Sequence, residues 1–316
     1  LQNISRQQII SFFSILLSAA IGIVFLFSAY AKFPVLEQFG WTVVEHSFFN
    51  WTFAEWFTRA LVGLELFFGI LFLISFRLKR IAIPGALLLL LVFSVYLGIL
   101  YIEQGNTGNC GCFGDMLPMT PMESLVKNAI LGVALLVLYF IVWEWRSRWD
   151  KLILAILFAI ALALPIYKSP PESIYIWPKQ KQIHIPIPLH ILYDDPKRTP
   201  PSVNLRNGKH VIAFMSLTCE HCKKAAKKMR IMYEKDSTLP FYFVLNGDTS
   251  NLKNFFLETK ATRIPYTHFN GVQQFLAMAG DKGVPSIRWV KDTVVQQESN
   301  YILLDENEIR DWLREP

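Results

Sequence analysis

The 316-residue chain holds four cysteines, and they fall into two close pairs. Cys110 and Cys112 flank Gly111, and Cys219 and Cys222 flank Glu220 and His221. Close pairs point to thiol redox or metal chemistry rather than to a framework of structural disulfides. At the start of a helix, the first sulfur of a Cys-x-x-Cys sits among unpaired amides at the positive end of the dipole, which favours a thiolate. The second sulfur lies on the same turn and can resolve a mixed disulfide. In Cys110-Gly-Cys112 the glycine lets the backbone turn tightly enough for the sulfurs to meet. A disulfide across one residue closes a small ring, which suits an electron carrier better than a staple. A zinc ribbon needs four nearby ligands, so none is expected at the single Cys-x-x-Cys.

The elements that must position these pairs differ in kind. The chain is 53% hydrophobic and only 18% charged, against about 25% charged for soluble domains. Residues 1–167 carry 19 of the charges and residues 168–316 carry 37. That distribution excludes a wholly soluble or a disordered protein. It fits a membrane half followed by a water-soluble half. The net charge of +6 does not call for nucleic acid. The chain begins at Leu1, so it is expected to start after a trimmed segment.

Five apolar runs are long enough to cross a bilayer core, which takes roughly 20 helical residues. They are Ile9 to Phe33, Phe57 to Phe76, Ile81 to Ile102, Met122 to Trp143 and the shorter Leu152 to Tyr167. Arg77, Lys79 and Arg80 follow the second run, and Arg146, Arg148 and Lys151 follow the fourth. Positive loops stay in the cytoplasm. This places the N-terminus inside, and both cysteine pairs outside the plasma membrane of a bacterium. The aromatic-rich stretch from Pro34 to Trp56 is expected to lie in the headgroup layer, with a cap over a lipid-soluble substrate as the alternative. Glu65 falls near the middle of the second run, and an ionisable group there is structural or functional. Lys32, Arg59 and Lys127 end or start spans on the outer side and are expected to snorkel to the interface.

Residues 168–201 hold eight prolines and read as a semi-extended linker, with an added strand in part of Ile183 to Leu192. Beyond it, His210 to Ser216 and Phe241 to Leu245 read as buried strands. Cys219 to Tyr233, Ser250 to Thr259, Gly271 to Ala279 and Asp305 to Leu313 read as helices. Ser286 to Lys291 and Thr293 to Gln296 form a hairpin with Asp292 at the turn. This is an α/β pattern. Lys223, Lys224, Lys227 and Lys228 give the Cys219 helix a basic face, read as solvated surface, with docking to anionic headgroups as the alternative.

Three membrane-half segments carry a resemblance. Gly22-Ile-Val-Phe-Leu-Phe-Ser-Ala-Tyr-Ala-Lys32, Glu65 in Leu-Glu-Leu-Phe-Phe-Gly, and Cys110-Gly-Cys-Phe-Gly114 look like the MauE/DoxX family of redox-associated four-helix membrane proteins. The resemblance covers about residues 9–145 and implies thiol redox work at the outer membrane face, with quinones as associates of DoxX-type relatives. The strand, Cys219-Glu-His-Cys222, the interposed helices, Val284-Pro285 and the hairpin resemble the thioredoxin superfamily, nearest its extracytoplasmic TlpA-like branch. Pro285 is expected to be cis by its place in that motif. The usual aromatic before the first cysteine is replaced by Leu217 and Thr218. The usual Gly-Pro between the cysteines is replaced by Glu220 and His221. His221 would stabilise a Cys219 thiolate and Glu220 would oppose it.

The expected architecture is an α-helical membrane bundle, a four-helix core plus a fifth tethering span, followed by an α/β thioredoxin-like domain. The boundaries are 1–150 for the bundle, 151–202 for the fifth span and linker, and 203–316 for the soluble domain. The expected function is thiol–disulfide exchange. Cys219 reacts with thiols of exported proteins, Cys222 resolves, and electrons pass to Cys110 and Cys112. A non-covalently bound quinone near Glu65, with Lys32 and Lys127 in support, accepts them. The reverse direction, reductant delivery or isomerisation, stands against the lack of any inner-side cysteine. A Cu(I) chaperone using all four sulfurs and a non-catalytic assembly subunit are the remaining alternatives.

Overall fold

The computed structural model describes residues 6–45, 49–107, 113, 116–142, 144, 147–174, 181–194, 200–280 and 283–315. The chain divides into two compact units, Leu1–Tyr175 and Ile176–Pro316.

The first unit contains α1 (Arg6–Lys32), α2 (Leu36–Glu45), α3 (Trp51–Leu73), α4 (Ile83–Gln104), α5 (Pro121–Ile141) and α6 (Asp150–Lys168). Among the described residues, five stretches are long and apolar enough to cross a membrane: Gln7–Glu45, Trp51–Leu73, Leu78–Glu103, Pro121–Ile141 and Asp150–Lys168. They coincide with the five apolar runs. Lipid offers no hydrogen-bond partners, so each span must satisfy its own backbone, as a helix does. Asn50 caps α3 by accepting from the Phe53 amide at 2.8 Å. Thr120 and Glu123 form a reciprocal capping box at α5. Such caps contribute about 1 kcal/mol each.

α3 is the hub and packs on α1, α2 and α6. Its approach to α1 is too close for a side chain at Gly22, whose Cβ would come within 2.9 Å of the Gly69 carbonyl oxygen. A Cβ on Gly63 would come equally near Ala161 of α6. Small residues at such crossings let membrane helices gain van der Waals contact. The Asn128 amide of α5 donates to Ser94 Oγ of α4 at 3.1 Å. At one end of the bundle, Arg77 ion-pairs with Asp150 and the Lys79 amide donates to Glu144. The two basic loops are thereby tied together.

Two expectations for this unit are corrected. Lys32 and Arg59 do not snorkel; both are buried. Lys32 turns inward to a carboxylate. Arg59 donates to the carbonyls of Ser169 at 2.7 Å and Pro170 at 3.3 Å, acceptors left open where α6 ends. The aromatic-rich stretch contains the short helix α2, which has one apolar face. α2 buries Leu36, Phe39, Val43 and Val44 and packs on α3.

The second unit contains β1 (Lys181–Pro186), β2 (Lys209–Ser216), α7 (Glu220–Lys235), β3 (Phe241–Asn246), α8 (Leu252–Thr259), β4 (Tyr266–Phe269), α9 (Val272–Ala279), β5 (Ser286–Lys291), β6 (Val294–Ser299) and α10 (Glu306–Arg314). The sheet order is β1-β6-β5-β2-β3-β4. β2, β3 and β4 run parallel, while β5 and β6 form an antiparallel hairpin against β2. The parallel strands β2 and β3 are apolar throughout their buried middle, as strands covered on both faces must be. Asp292 turns the hairpin at φ 48°, and its carboxylate accepts from the Gly208 amide at 2.7 Å.

The added strand expected in part of Ile183 to Leu192 is present as β1. β1 pairs with β6, and Ile187, Leu189 and Leu192 enter the core beside Phe214 and Val295. The α/β unit therefore takes in residues ahead of 203, because prolines at 186 and 188 are tolerated on an edge strand and in the turn after it.

Candidate functional site

In the second unit, β2 ends at Ser216 and delivers Cys219 to the N-cap of α7. The Cys219 sulfur accepts from the Cys222 amide at 3.4 Å, one of the amides a helix start leaves unpaired. The Cys222 sulfur in turn accepts from the Ser216 amide at 3.4 Å. Cys219 is partly exposed and Cys222 is fully buried, and both are free thiols. Burial first, and the hydrogen bond with Cys219 second, push the Cys222 thiol well above its ordinary pKa. The two sulfurs are thus unequal: one reachable, the other held neutral beneath it.

Val284–Pro285 is a cis peptide, as the motif position leads one to expect. The Val284 carbonyl oxygen lies 3.9 Å from Cys219 Sγ, which donates to it. His221 is exposed, its ring 6.5 Å from that of Tyr301. Lys223 holds Glu220 at 2.8 Å and draws that carboxyl below its usual pKa. The opposing charge beside Cys219 is therefore countered locally. The basic face of α7 is not uniformly solvated. Lys223 also pairs with Glu258 at 2.9 Å, and Lys228 is buried, donating to the Ile302 carbonyl at 3.0 Å.

In the first unit, α1 and α3 bring Lys32 against Glu65. Lys32 Nζ lies 2.6 Å from Glu65 Oε1 and 2.7 Å from Ser28 Oγ. Ser28 closes the triangle by donating to Oε1 at 3.0 Å. Glu65 Oε2 is buried with no hydrogen-bond partner among the described residues. Lys127 and Asn128 of α5 and Phe93 of α4 join this group around a cavity of about 20 Å³, room for one water. So Lys32, Glu65 and Lys127, singled out from three separate spans, line one cavity. Lys127 stands 4.4 Å from the Phe113 ring, and Phe113 packs on Phe27 at 5.4 Å. Phe113 follows Cys112 in the chain; Cys110 and Cys112 themselves lie outside the described residues, as do Asp115, Trp143 and Arg146.

The sequence reading missed Ser28, Phe93, Phe113 and Asn128. Ser28 carried a signal, since it sits one turn before Lys32 on the same helix face. Among the described residues, no group of three or more His, Cys, Asp or Glu side chains is placed to hold a metal ion.

A βαβ unit with Cys-x-x-Cys at the helix start, followed by a hairpin entered through a cis-proline beside the first cysteine, defines a thioredoxin-like domain with a thiol–disulfide oxidoreductase type of site. Residues 10–141 match the family model of methylamine utilisation protein MauE. Protein TlpB of Flavobacterium psychrophilum is 28% identical, the match covering 77% of each chain. The thioredoxin domain of a thiol–disulfide oxidoreductase from Bacteroides vulgatus is similar at 17% identity, over 34% of this chain and 81% of that one, with a TM-score of 0.30. A secreted Mycobacterium tuberculosis disulfide oxidoreductase homologous to E. coli DsbE is similar at 11% identity, over 34% and 80%, with a TM-score of 0.28. The chain joins a MauE-like multi-span membrane domain to a thioredoxin-like domain.

Proposed function

We propose that this protein is a bacterial plasma-membrane oxidase of exported protein thiols. The observation that carries the proposal is the inequality of Cys219 and Cys222 at the start of α7. A reachable sulfur bonded to a helix-start amide and a buried neutral partner are what nucleophile and resolving thiol require.

In the oxidised state, a client thiolate attacks Cys219, and the Cys219–Cys222 bond breaks. A second client thiol then displaces Cys219. The client gains a disulfide, and its two electrons and two protons now reside on Cys219 and Cys222. The Val284 carbonyl and the adjoining backbone present an edge against which an extended client segment can align. The same exchange passes the two electrons and two protons to a Cys110–Cys112 disulfide. A bound quinone supplies a two-electron, two-proton acceptor for that second pair. Lys32 donates hydrogen bonds inside the bundle and Glu65 Oε2 is a buried acceptor with no hydrogen-bond partner among the described residues, but the cavity of about 20 Å³ beside them has room for a water and not for a ring, so a quinone would have to bind away from this pair. Lys127 bridges the cavity and Phe113, the residue after Cys112.

Membranes containing the wild-type chain should oxidise a reduced model protein while consuming a water-soluble quinone one for one. Cys110→Ser should leave Cys219 reactive to alkylation and stop quinone consumption. Steady turnover in Cys110→Ser would remove the relay from the account.

A further inference from the structure

Polar side chains from four helices meet inside the bundle. Ser28 and Lys32 of α1, Glu65 of α3, and Lys127 and Asn128 of α5 line the cavity of about 20 Å³. Ser94 of α4 accepts from Asn128 beside it. A buried polar atom left without a hydrogen bond is costly, more so when it carries charge. Glu65 is 3% exposed, and its Oε2 has no partner among the described residues. Lys32 uses two of the three N–H groups of an ammonium on Ser28 and on Glu65 Oε1. The cavity is therefore the place from which a partner for Oε2 can come. Its volume exceeds the roughly 10–15 Å³ that one water requires and leaves no room for a larger molecule. The ammonium groups of Lys32 and Lys127 oppose a metal cation at this spot, and the Glu65 carboxylate opposes an anion. That leaves a neutral molecule able both to donate and to accept.

We propose that this cavity is a proton-relay site: it binds one water, and that water passes protons between Lys127 and Glu65. The relay goes beyond the oxidase reading and requires neither thiol nor quinone. Its two ends differ in access. Lys127 is partly exposed and lies about 9 Å along the axis from the start of α5 at Pro121, whereas Glu65 is buried well inside α3. In the transfer, the Lys127 ammonium gives a proton to the water as the water gives one to Glu65 Oε2. An aqueous proton then restores the Lys127 ammonium, so one proton has moved inward and no electron has moved. The return path reverses each step. Lys32 and Ser28 keep their hydrogen bonds to Oε1 throughout, so the carboxyl stays fixed while Oε2 gains and loses its proton. Among the residues lining the cavity, the charged neighbours of Glu65 are Lys32 of α1 and Lys127 of α5; Leu90 and Phe93 of α4 carry no charge. Paired ionisable side chains facing the inside of a membrane bundle are suited to such relays.

The test uses the full chain in lipid nanodiscs, with infrared spectra recorded after a rapid drop in pH. The carboxylic-acid carbonyl band of Glu65 is assigned by its absence in Glu65→Gln, which keeps the side-chain shape. Val24→Leu adds one methylene to the cavity wall and fills the water position, and Lys127→Met removes the entry group. Ile130→Leu, at a 65%-exposed position of α5 outside the cavity, is the control. Thermal melts establish that each variant folds, and either of the two relay variants suffices alone. The Glu65 band should form about tenfold more slowly in Val24→Leu and in Lys127→Met than in the wild type, and at the wild-type rate in the control. X-ray footprinting in heavy-oxygen water should label the buried rings of Phe25 and Phe93, which line the cavity, in the wild type and not in Val24→Leu. Unlabelled rings in the wild type overturn the water site. A band that forms at the wild-type rate in either folded variant, or the lack at every pH of any band that Glu65→Gln removes, overturns the relay. Neither result bears on thiol exchange at Cys219 and Cys222.

Discussion

Lys32 Nζ lies 2.6 Å from Glu65 Oε1, and the two side chains are 1% and 4% exposed. The two residues are 33 positions apart in sequence, and the pair joins α1 to α3 by charge at the level where Ser28 joins them by hydrogen bonding. In a low-dielectric bundle neither charge is stable alone.

Removing one member should therefore cost more than removing both. Lys32→Met or Glu65→Gln alone is expected to lower stability by about 3–5 kcal/mol, and the double variant should recover most of that loss. Thermal melts in nanodiscs measure it. Quinone-linked turnover should stay lost in the double variant, which separates the pair's role in the reaction from its role in the fold.

Cys222 is held neutral by burial, so Cys219 should be the thiol that alkylates first in the reduced protein, and Cys222 should resist until the unit unfolds. The folded pKa is raised above the unfolded one, so this contribution to stability is complete below about pH 8.5 and is lost as pH rises beyond it. The denaturant midpoint of the reduced full-length protein should fall above that pH, and Cys222→Ala should flatten the decline.

Phe113→Ala should remove the contacts that hold this one described residue against α1 and α5. The ring's contacts with Phe27 and Lys127 are each of a kind worth about 0.5–1.5 kcal/mol. Alkylation of reduced Cys110 and Cys112 should become faster, and electron transfer from the Cys219–Cys222 pair slower. The intrinsic reactivity of Cys219 should not change.

Arg59→Met should release the end of α6 from α3 by removing the bonds to Ser169 and Pro170. Hydrogen exchange should rise at residues 169–174, where Glu55 also holds the Ser173 amide. Protection of the β2–β3 amides should stay as in the wild type.

The spans were legible because lipid imposes one simple demand, about twenty apolar residues per helix. The Cys219–Cys222 site was legible because its geometry is local: a strand, a sharp entry and a helix start within a few residues. The side-chain partners of Lys32 and Arg59 were not. Which face of a helix meets which neighbour is settled by close approaches such as Gly22 to Gly69, and sequence spacing in one helix does not report on another. β4 was missed because four residues, Tyr266–Phe269, are too few for a period to show. The added strand was legible from the alternation after Ile183, but prolines 186 and 188 hid how the residues beyond it reach the core. Leu189 and Leu192 nonetheless pack there through a short turn of 3-10 helix.

The most direct test of the central claim traps the relay. Cys222→Ser leaves Cys219 without its resolving partner, so a mixed disulfide formed there persists. Membranes carrying this variant, with and without Cys112→Ser, are quenched with acid and run on non-reducing gels. The account predicts a Cys219 adduct with a client protein, and an internal Cys219 link to the Cys110/Cys112 pair that peptide mapping identifies. If neither adduct forms and all four wild-type thiols remain reduced, thiol oxidation by this protein is contradicted.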